Sequence, residues 1–110
     1  MTGINEIVTL YVAYTDGNGG KKRPVLVLQD VDERLTFYKI TSKFNKKSNS
    51  IKKQYYQIIQ WKESGLRKQS YIDTGQILRI EKNSIGPITE IGELTNIDIQ
   101  GLADFINNKK

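Results

Sequence analysis

Residues 24–29, Pro-Val-Leu-Val-Leu-Gln, restrict the fold more than any other part of the sequence. A short apolar run without polar alternation is typical of a strand that is buried on both faces. Proline at its first position is compatible with this, because one hydrogen-bond donor can be spared where a strand begins. We therefore predict that residues 24–29 form the central strand of a sheet.

Several other short runs, rich in β-branched and aromatic residues, predict further strands. They cover residues 6–14, 35–42, 55–59, 70–80 with a bend at Gly75, and 88–92. The segments between these runs are rich in turn-forming residues. Residues 15–22, 30–34 and 61–66 are predicted loops or turns, and the polar stretch 43–53 is a predicted mobile loop.

The last part of the chain predicts one amphipathic helix. Thr95 is a candidate N-cap, and Asp98 stands three residues later, where it would complete a capping-box-like pair. An apolar face follows at helical spacing, formed by Ile99, Leu102, Ala103 and Ile106. The lysines at 109 and 110 suit the negative end of the helix dipole.

Short strands followed by one such helix predict a mainly β fold with a C-terminal helix. We expect a small, strongly bent barrel with the helix laid against it. The chain has 110 residues, which is the length of one domain, and it contains no internal repeat or linker. We therefore predict a single domain over residues 1–110.

Cysteine and histidine are both missing from the sequence. Without them the chain has no disulfide, no thiolate nucleophile, and neither the commonest general base nor the commonest metal ligand. No cluster of Asp and Glu has metal-site spacing, so we expect neither a metal nor another cofactor. No apolar run approaches the ~18 residues of a membrane helix, and the N-terminus has no export signal. We expect a soluble cytoplasmic protein that does not contact a membrane.

The positive charge is concentrated in the middle of the chain. The sequence has 17 Lys and Arg against 12 Asp and Glu, and residues 36–71 contain nine of these bases but only one acid, Glu63. Seven aromatic residues are interleaved with the bases: Phe37, Tyr38, Phe44, Tyr55, Tyr56, Trp61 and Tyr71. Cations neutralise phosphates and aromatic rings stack on unpaired bases, so this composition is typical of a surface for single-stranded nucleic acid. Strands also favour aromatic residues for packing alone, and both interpretations stay open at this point.

Three consecutive cations, Lys21, Lys22 and Arg23, stand directly before Pro24, where a glycine-rich loop enters the predicted central strand. We interpret them as an anion site in which the strand holds Arg23, because a planar guanidinium matches the oxygens of a phosphate. The alternative is three solvated charges on a loop. The loop lacks the spacing of a nucleotide-binding P-loop, and it leads into a strand rather than a helix.

The segment 16–28, Asp-Gly-Asn-Gly-Gly-Lys-Lys-Arg-Pro-Val-Leu-Val-Leu, resembles the signature of the MazF/PemK-type toxins of bacterial toxin–antitoxin pairs. In that signature a glycine-rich loop is followed by Arg-Pro and a hydrophobic strand. Residues 40–42 (Ile-Thr-Ser), 75–77 (Gly-Gln-Ile) and 91–94 (Ile-Gly-Glu-Leu) are similar to later steps of the same family. The resemblance covers nearly the whole chain.

This resemblance implies an SH3-like β-barrel of the MazF/Kid/CcdB type, a homodimer, and a cognate antitoxin whose acidic, disordered tail blocks the RNA groove. It also implies a metal-independent endoribonuclease that cleaves single-stranded RNA through attack of the 2′-hydroxyl group and a cyclic phosphate. Arg23 and Thr41 stand where catalytic residues of the family stand, and Gln76 matches a position near the groove. The candidate RNA-binding residues are Asn18, Lys21, Lys22, Ser42, Lys43 and Gln76.

Metal-free RNA cleavage depends on stabilising the negative charge that develops on the reacting phosphate. We expect Arg23 to hold this phosphate and to donate the proton of the leaving group, while Thr41 and Ser42 orient the phosphate by hydrogen bonds. Two other functions fit the same residues. One is a non-catalytic small barrel that binds single-stranded nucleic acid, and the other is a toxin of related fold that acts on a protein target.

Overall fold

The computed structural model describes residues 3–13, 19–45 and 47–108. Within these ranges there are seven strands, two α-helices and one 3₁₀ turn, Lys82–Ser84. The strands are β1 (Glu6–Ala13), β2 (Gly20–Val31), β3 (Arg34–Thr41), β4 (Tyr55–Gln57), β5 (Tyr71–Asp73), β6 (Leu78–Glu81) and β7 (Ile88–Glu93), and the helices are α1 (Asn49–Lys52) and α2 (Asn96–Asn107).

All the described strands join one antiparallel sheet. Its order is β4-β5-β3-β2-β1-β7, and β6 pairs with β3 beside β5. The predicted class, mainly β with a C-terminal helix, is therefore confirmed. The hydrogen-bonded order runs from β4 to β7 without joining these two strands, so the described strands form an open sheet and the predicted closed barrel is not shown.

The strand β2 is central, as predicted, and its middle part is buried on both faces. Leu26 packs into one hydrophobic cluster while Val25 and Val27 pack into another, because successive side chains of a strand point to opposite faces. The strand is longer than the apolar run that predicted it. It begins at Gly20, so the end of the loop predicted at 15–22 is strand and pairs with β1.

Two of the segments that we predicted as turns or loops contain more regular structure than expected, and the rest of the loop predicted at 15–22, residues 15–18, lies outside the described residues. In the turn predicted at 30–34 only Asp32 and Glu33 leave the strands, and both have positive φ, 55° and 63°, as two-residue hairpin turns require. The stretch 43–53, predicted to be a mobile loop, contains the short helix α1, which the hydroxyl group of Ser48 caps. The strand predicted at 70–80 is present as β5 and β6, which flank the interruption at Gly75 and both pair with β3.

Each face of the sheet has its own hydrophobic cluster. The helix-side cluster lies under α2 and includes Ile7, Leu26, Tyr38, Ile40, Tyr56, Ile58, Ile72, Leu94 and Leu102. The opposite cluster consists of Val8, Leu10, Val25, Val27, Leu35 and Phe37, with side chains of β6 and β7 packed against it. Of the predicted apolar face of α2, Ile99, Leu102 and Ile106 contact the helix-side cluster, whereas Ala103 is exposed. The helix face is thus confirmed at three of its four positions.

Helix α2 begins after Thr95, as predicted, but the capping box does not form. The Thr95 hydroxyl makes no cap hydrogen bond and is buried without a hydrogen-bond partner among the residues described. The Asp98 carboxylate is fully buried and accepts bonds from the Tyr56 hydroxyl (2.7 Å) and from the backbone amides of Ile59 (2.8 Å) and Gln60 (2.8 Å). The capping prediction was wrong because this carboxylate joins α2 to the segment after β4. The two predicted C-terminal lysines, at 109 and 110, lie outside the described residues.

Two glycines allow the turn at 59–65 to lie directly against β7. Gly65 has a φ of 93°, and a Cβ atom on it would overlap the carbonyl oxygen of Ile91. A Cβ atom on Gly92 would overlap the carbonyl oxygen of Ser64. Both obstacles are backbone atoms, so neither position accommodates a side chain without moving the main chain.

Candidate active site

Arg23 and Thr41 stand at the same end of neighbouring strands. The paired register of β2 and β3 ends with Val25 opposite Lys39. Arg23 and Thr41 lie two residues beyond this pair along their strands, so their side chains project from the same face as Val25 and Lys39. That face is opposite to α2, because Val25 belongs to the opposite cluster.

Cross-strand pairs extend this position into a row that crosses five strands. Thr41 pairs with Tyr71, Tyr71 pairs with Gln57, and Arg23 pairs with Leu10 on its other side. Directly paired residues share a face of the sheet. A guanidinium, a hydroxyl group, a phenol and an amide are therefore aligned on one surface, which we call the polar row: Arg23, Thr41, Tyr71 and Gln57.

The hydroxyl group of Thr41 is held in place by the chain that follows it. Its Oγ1 atom accepts a hydrogen bond from the backbone amide of Lys43, at 3.1 Å. A threonine hydroxyl can accept and donate at the same time, so its hydrogen is still available to a ligand. Thr41 is half-buried, whereas Ser42 and Lys43 are exposed. The arrangement presents one oriented donor on the polar row.

The three predicted anion-binding cations do not share one face. Lys21, Lys22 and Arg23 are all exposed and all belong to β2. Successive side chains of a strand point to opposite faces, so Lys21 shares the face of Arg23. Lys22 projects from the other face, where it pairs with Tyr11 of β1. Within the described parts of the chain, Arg23 has no carboxylate at ion-pair distance. Its positive charge is therefore available to an anion from solution.

Most of the aromatic residues in the basic middle of the chain are part of the core. Phe37, Tyr38, Tyr55 and Tyr56 are buried, which supports the packing interpretation for these four. Burial raises the pKa of the Tyr38 hydroxyl and, together with the charge of Asp73, that of the Tyr55 hydroxyl.

Two aromatic residues lie at the polar row itself. The ring of Phe44 stacks on Tyr71, with centroids 4.3 Å apart and an angle of 13° between the planes. The ammonium group of Lys52 lies 5.0 Å from the centroid of the same Phe44 ring. Phe44 therefore fastens the segment after Thr41 to β5.

An open groove adjoins Thr41. It is lined by Ser42, Lys43, Phe44, Asn45, Lys68 and Gln69. Two of these, Ser42 and Lys43, are predicted RNA-binding residues. The prediction missed Lys68 and Gln69, together with Tyr71 and Gln57 of the polar row. Their only signal in the sequence is membership of the basic middle segment, because long-range strand pairing brings them to Thr41.

The remaining predicted site residues are less central. Gln76 is exposed in the link between β5 and β6, beside the part of β3 between Phe37 and Ile40. It is on the same side of β3 as Tyr71, because β5 and β6 both pair with β3 there. Asn18, which is also a predicted RNA-binding residue, lies outside the described residues.

No three His, Cys, Asp or Glu side chains in the described ranges come together in a way that could hold a metal ion. None of the helices there is long and apolar enough to cross a membrane.

The described part of the chain is therefore a small antiparallel sheet with α2 packed on one face and with Arg23 and Thr41 on the other. The family model described as "PemK-like, MazF-like toxin of type II toxin-antitoxin system" matches residues 5–108. The chain belongs to this family, as its sequence motifs predict. No curated protein sequence is significantly similar to it.

Three of the solved structures that share this fold are mycobacterial proteins. The Mycobacterium tuberculosis toxin MazF-mt6 is 22% identical, with a TM-score of 0.59 over 91% of this chain and 93% of that one. A second structure, described as an Mtb toxin, is 20% identical, with a TM-score of 0.59 over 91% and 97% of the two chains. A third, described as an endoribonuclease in complex with its cognate antitoxin from Mycobacterial species, is 13% identical, with a TM-score of 0.57 over 96% and 90%. At these identities the similarity establishes the shared fold.

Proposed function

We propose that this chain is a one-domain toxin of a type II toxin–antitoxin pair and cleaves single-stranded RNA as a metal-independent endoribonuclease. The observation that carries the proposal is the placement of Arg23 and Thr41 at the same end of β2 and β3, on the face of the sheet opposite to α2. Membership of the toxin family supports it independently, as does the description of one structural neighbour as an endoribonuclease.

The RNA supplies its own nucleophile in this reaction. The 2′-oxygen attacks the adjacent phosphorus, the bond from phosphorus to the 5′-oxygen breaks, and the products end in a 2′,3′-cyclic phosphate and a 5′-hydroxyl. A base takes the proton of the 2′-hydroxyl, and the departing 5′-oxygen gains one. Negative charge develops on the non-bridging oxygens in the transition state, and each well-placed donor there stabilises it by about 3–4 kcal/mol.

The side chains of the polar row match these requirements. A guanidinium is positively charged and binds two phosphate oxygens in parallel, so Arg23 is suited to the developing charge. It is also our candidate for the donor of the leaving-group proton, and it would regain a proton from water after that step. The Thr41 hydroxyl, fixed by the Lys43 amide, donates to a phosphate oxygen and orients the phosphorus for attack.

The neighbouring cations would bind the rest of the RNA backbone. Lys21 shares the face of Arg23, and Lys43 and Ser42 follow Thr41, so these three are placed for flanking phosphates. Gln76 and Asn18 keep their proposed contacts with RNA. Lys22 projects from the opposite face and would contribute less.

The partners follow from the same surface. A mycobacterial structure described as an endoribonuclease with its cognate antitoxin supports an antitoxin for this chain. An acidic, disordered antitoxin tail would be attracted to the exposed cations and would exclude RNA from them. We also propose a homodimer, a cytoplasmic location, and the SH3-like barrel of the family. Register shifts in the β1–β7 and β2–β3 pairings support the barrel, because bulges bend a sheet.

The proposal is tested by incubating unstructured RNA with the pure protein in EDTA and mapping the chemistry of the new ends. We expect cyclic phosphate and 5′-hydroxyl ends. Removing one donor to a developing charge slows reactions on the order of 10²–10³-fold, and we expect at least this loss for Arg23→Ala. Arg34→Ala is the matched control, because Arg34 is exposed at the opposite end of the β2–β3 hairpin.

Four results would contradict the proposal. Cleavage that requires a divalent metal would exclude the mechanism, and an Arg23→Ala variant that cuts at the parental rate would exclude the assignment of Arg23. Tight RNA binding without cleavage would favour the non-catalytic nucleic-acid-binding alternative. A change in topoisomerase activity without any effect on RNA would favour a toxin that acts on a protein.

A further inference from the structure

The groove beside Thr41 has the chemistry of a nucleotide site. Its lining offers the Ser42 hydroxyl, the ammonium groups of Lys43 and Lys68, and the amides of Asn45 and Gln69. Ser42 follows Thr41 directly. An RNA strand whose scissile phosphate is held at Thr41 therefore has a neighbouring nucleotide at this groove.

The amide of Gln69 has a fixed orientation. Its Nε2 atom donates to the backbone carbonyl oxygens of Ile58 (2.7 Å) and Ser70 (3.2 Å). The reverse orientation would place Oε1 against two carbonyl oxygens, which donate nothing, so the amide cannot flip. Oε1 accepts a long bond of 3.5 Å from the amide of Gln57 and still has a free lone pair. Gln69 thus presents one oriented acceptor.

The opposite wall of the groove is also preformed. Phe44 stacks on Tyr71, and the ammonium group of Lys52 lies 5.0 Å from the centroid of its ring, so the segment 42–45 is fastened to β5. Tyr71 occupies one face of the Phe44 ring, so that face is closed to a base. The polar groups of the lining can form hydrogen bonds with the edge of a base.

We propose that this groove is the subsite for one nucleotide next to the scissile phosphate, and that Gln69 determines which base it accepts. The Oε1 atom of Gln69 accepts a hydrogen bond from an N–H group on the edge of the base, while Lys43 and Lys68 neutralise the adjoining phosphate. The subsite rests on the proposed nuclease function and adds a sequence preference to it. A well-placed base contact discriminates against the wrong base by roughly 10–100-fold.

The first test compares cut-site preferences on a pool of RNAs with randomised sequence. For the parent protein we expect one preferred base at a position adjoining the cut. In Gln69→Leu that preference should fall by about 10-fold or more, with preferences at other positions unchanged. Gln100→Leu is the matched control, because Gln100 is exposed on α2, on the other side of the sheet. An unchanged preference in Gln69→Leu would overturn the subsite.

The second test measures binding without cleavage. Four labelled RNAs differ only at the nucleotide adjoining the cut and have a 2′-deoxy sugar at the scissile position, so they lack the nucleophile. We expect fluorescence anisotropy to show one base bound best by the parent and near-equal binding of all four by Gln69→Leu. Equal changes in affinity for all four RNAs would overturn the proposal.

A third measurement needs no variant, since Gln69→Leu also removes three hydrogen bonds within the fold. RNA carrying 5-iodouridine at the adjoining nucleotide is cross-linked to the parent protein by light, and the labelled peptides are sequenced. We expect cross-links within residues 42–45 or 68–71. Cross-links confined to other segments would overturn the subsite.

The outcomes separate the two proposals. If the protein cleaves RNA with a base preference that does not depend on Gln69, the subsite proposal is overturned and the nuclease proposal stands. Base-selective binding that depends on Gln69, without cleavage, keeps the subsite and overturns the nuclease. A protein that neither binds nor cuts RNA overturns both.

Discussion

The buried carboxylate of Asp98 allows the sharpest test of how this fold is stabilised. It accepts three hydrogen bonds, one from the Tyr56 hydroxyl and two from the backbone amides after β4, and none of its surface is exposed. Asp98→Ala leaves these three donors without a partner. Asp98→Asn keeps an acceptor for two of them but turns an N–H group toward the third.

The expected cost follows from the three bonds. An unsatisfied buried donor costs about 1–3 kcal/mol, and the three losses are not additive because one carboxylate serves all of them. We expect Asp98→Ala to lower the free energy of unfolding by about 4 kcal/mol and Asp98→Asn by about 2 kcal/mol. Domains of this size are stable by roughly 5–15 kcal/mol, so the alanine variant should be close to unfolding.

Urea unfolding followed by fluorescence measures these losses. Trp61 is the only tryptophan and packs against the helix-side cluster next to the affected segment. Asp104→Ala is the control, because Asp104 is exposed on the same helix. If Asp98→Ala were destabilised by less than about 1 kcal/mol, or no more than the control, the three bonds would not stabilise the fold as argued.

Three further predictions concern other parts of the molecule. Gly65→Ala and Gly92→Ala should each lower the free energy of unfolding by more than about 2 kcal/mol, since backbone atoms block a Cβ at both positions; parental melting temperatures would contradict this. Burial and the bond to Asp98 raise the pKa of the Tyr56 hydroxyl above its usual 10.0. The stability that this protonated hydroxyl contributes to the fold is therefore complete below pH 10 and is lost as the pH rises beyond it. Tyr56→Phe should therefore lose less stability than the parent when urea unfolding is compared at pH 9 and pH 11, and equal losses would refute the argument. Lys21→Ala should reduce the salt dependence of RNA binding by about one unit of slope, and Lys22→Ala by less, because only Lys21 shares the face of the arginine; equal slopes would count against this geometry.

Much of the fold could be predicted because its elements have local signals. The apolar run after Pro24 identified the central strand, and the helical repeat beginning at Ile99 identified α2. The capping box failed because a capping residue forms its bonds locally only when no tertiary partner competes. The carboxylate of Asp98 has three such partners in a segment about 40 residues away along the chain. No local pattern contains that information.

Only those residues of the candidate site that stand in a recognisable sequence motif could be predicted. Arg23 and Thr41 stand in recognisable motifs, and the register of β2 and β3 is compatible with placing them together. Tyr71 and Gln69 reach the same place through the pairing of β3 with β5, which depends on how the whole sheet assembles. The aromatic residues were ambiguous for a related reason. Strand propensity and base stacking favour the same residue types, and only burial distinguishes their roles.

The sheet separates two tasks of its side chains. One face packs against α2 to stabilise the fold, and the other carries the polar row and the groove. Where β3 ends beside β5, Ile40 and Ile72 pack under α2, and the alternate residues Thr41 and Tyr71 belong to the polar row. Mutations on the groove side can therefore accumulate without loosening the packing beneath the helix. We expect descendants of one ancestral toxin to diverge fastest at groove positions such as Asn45 and Lys68. They would then acquire new target sequences while keeping the same scaffold.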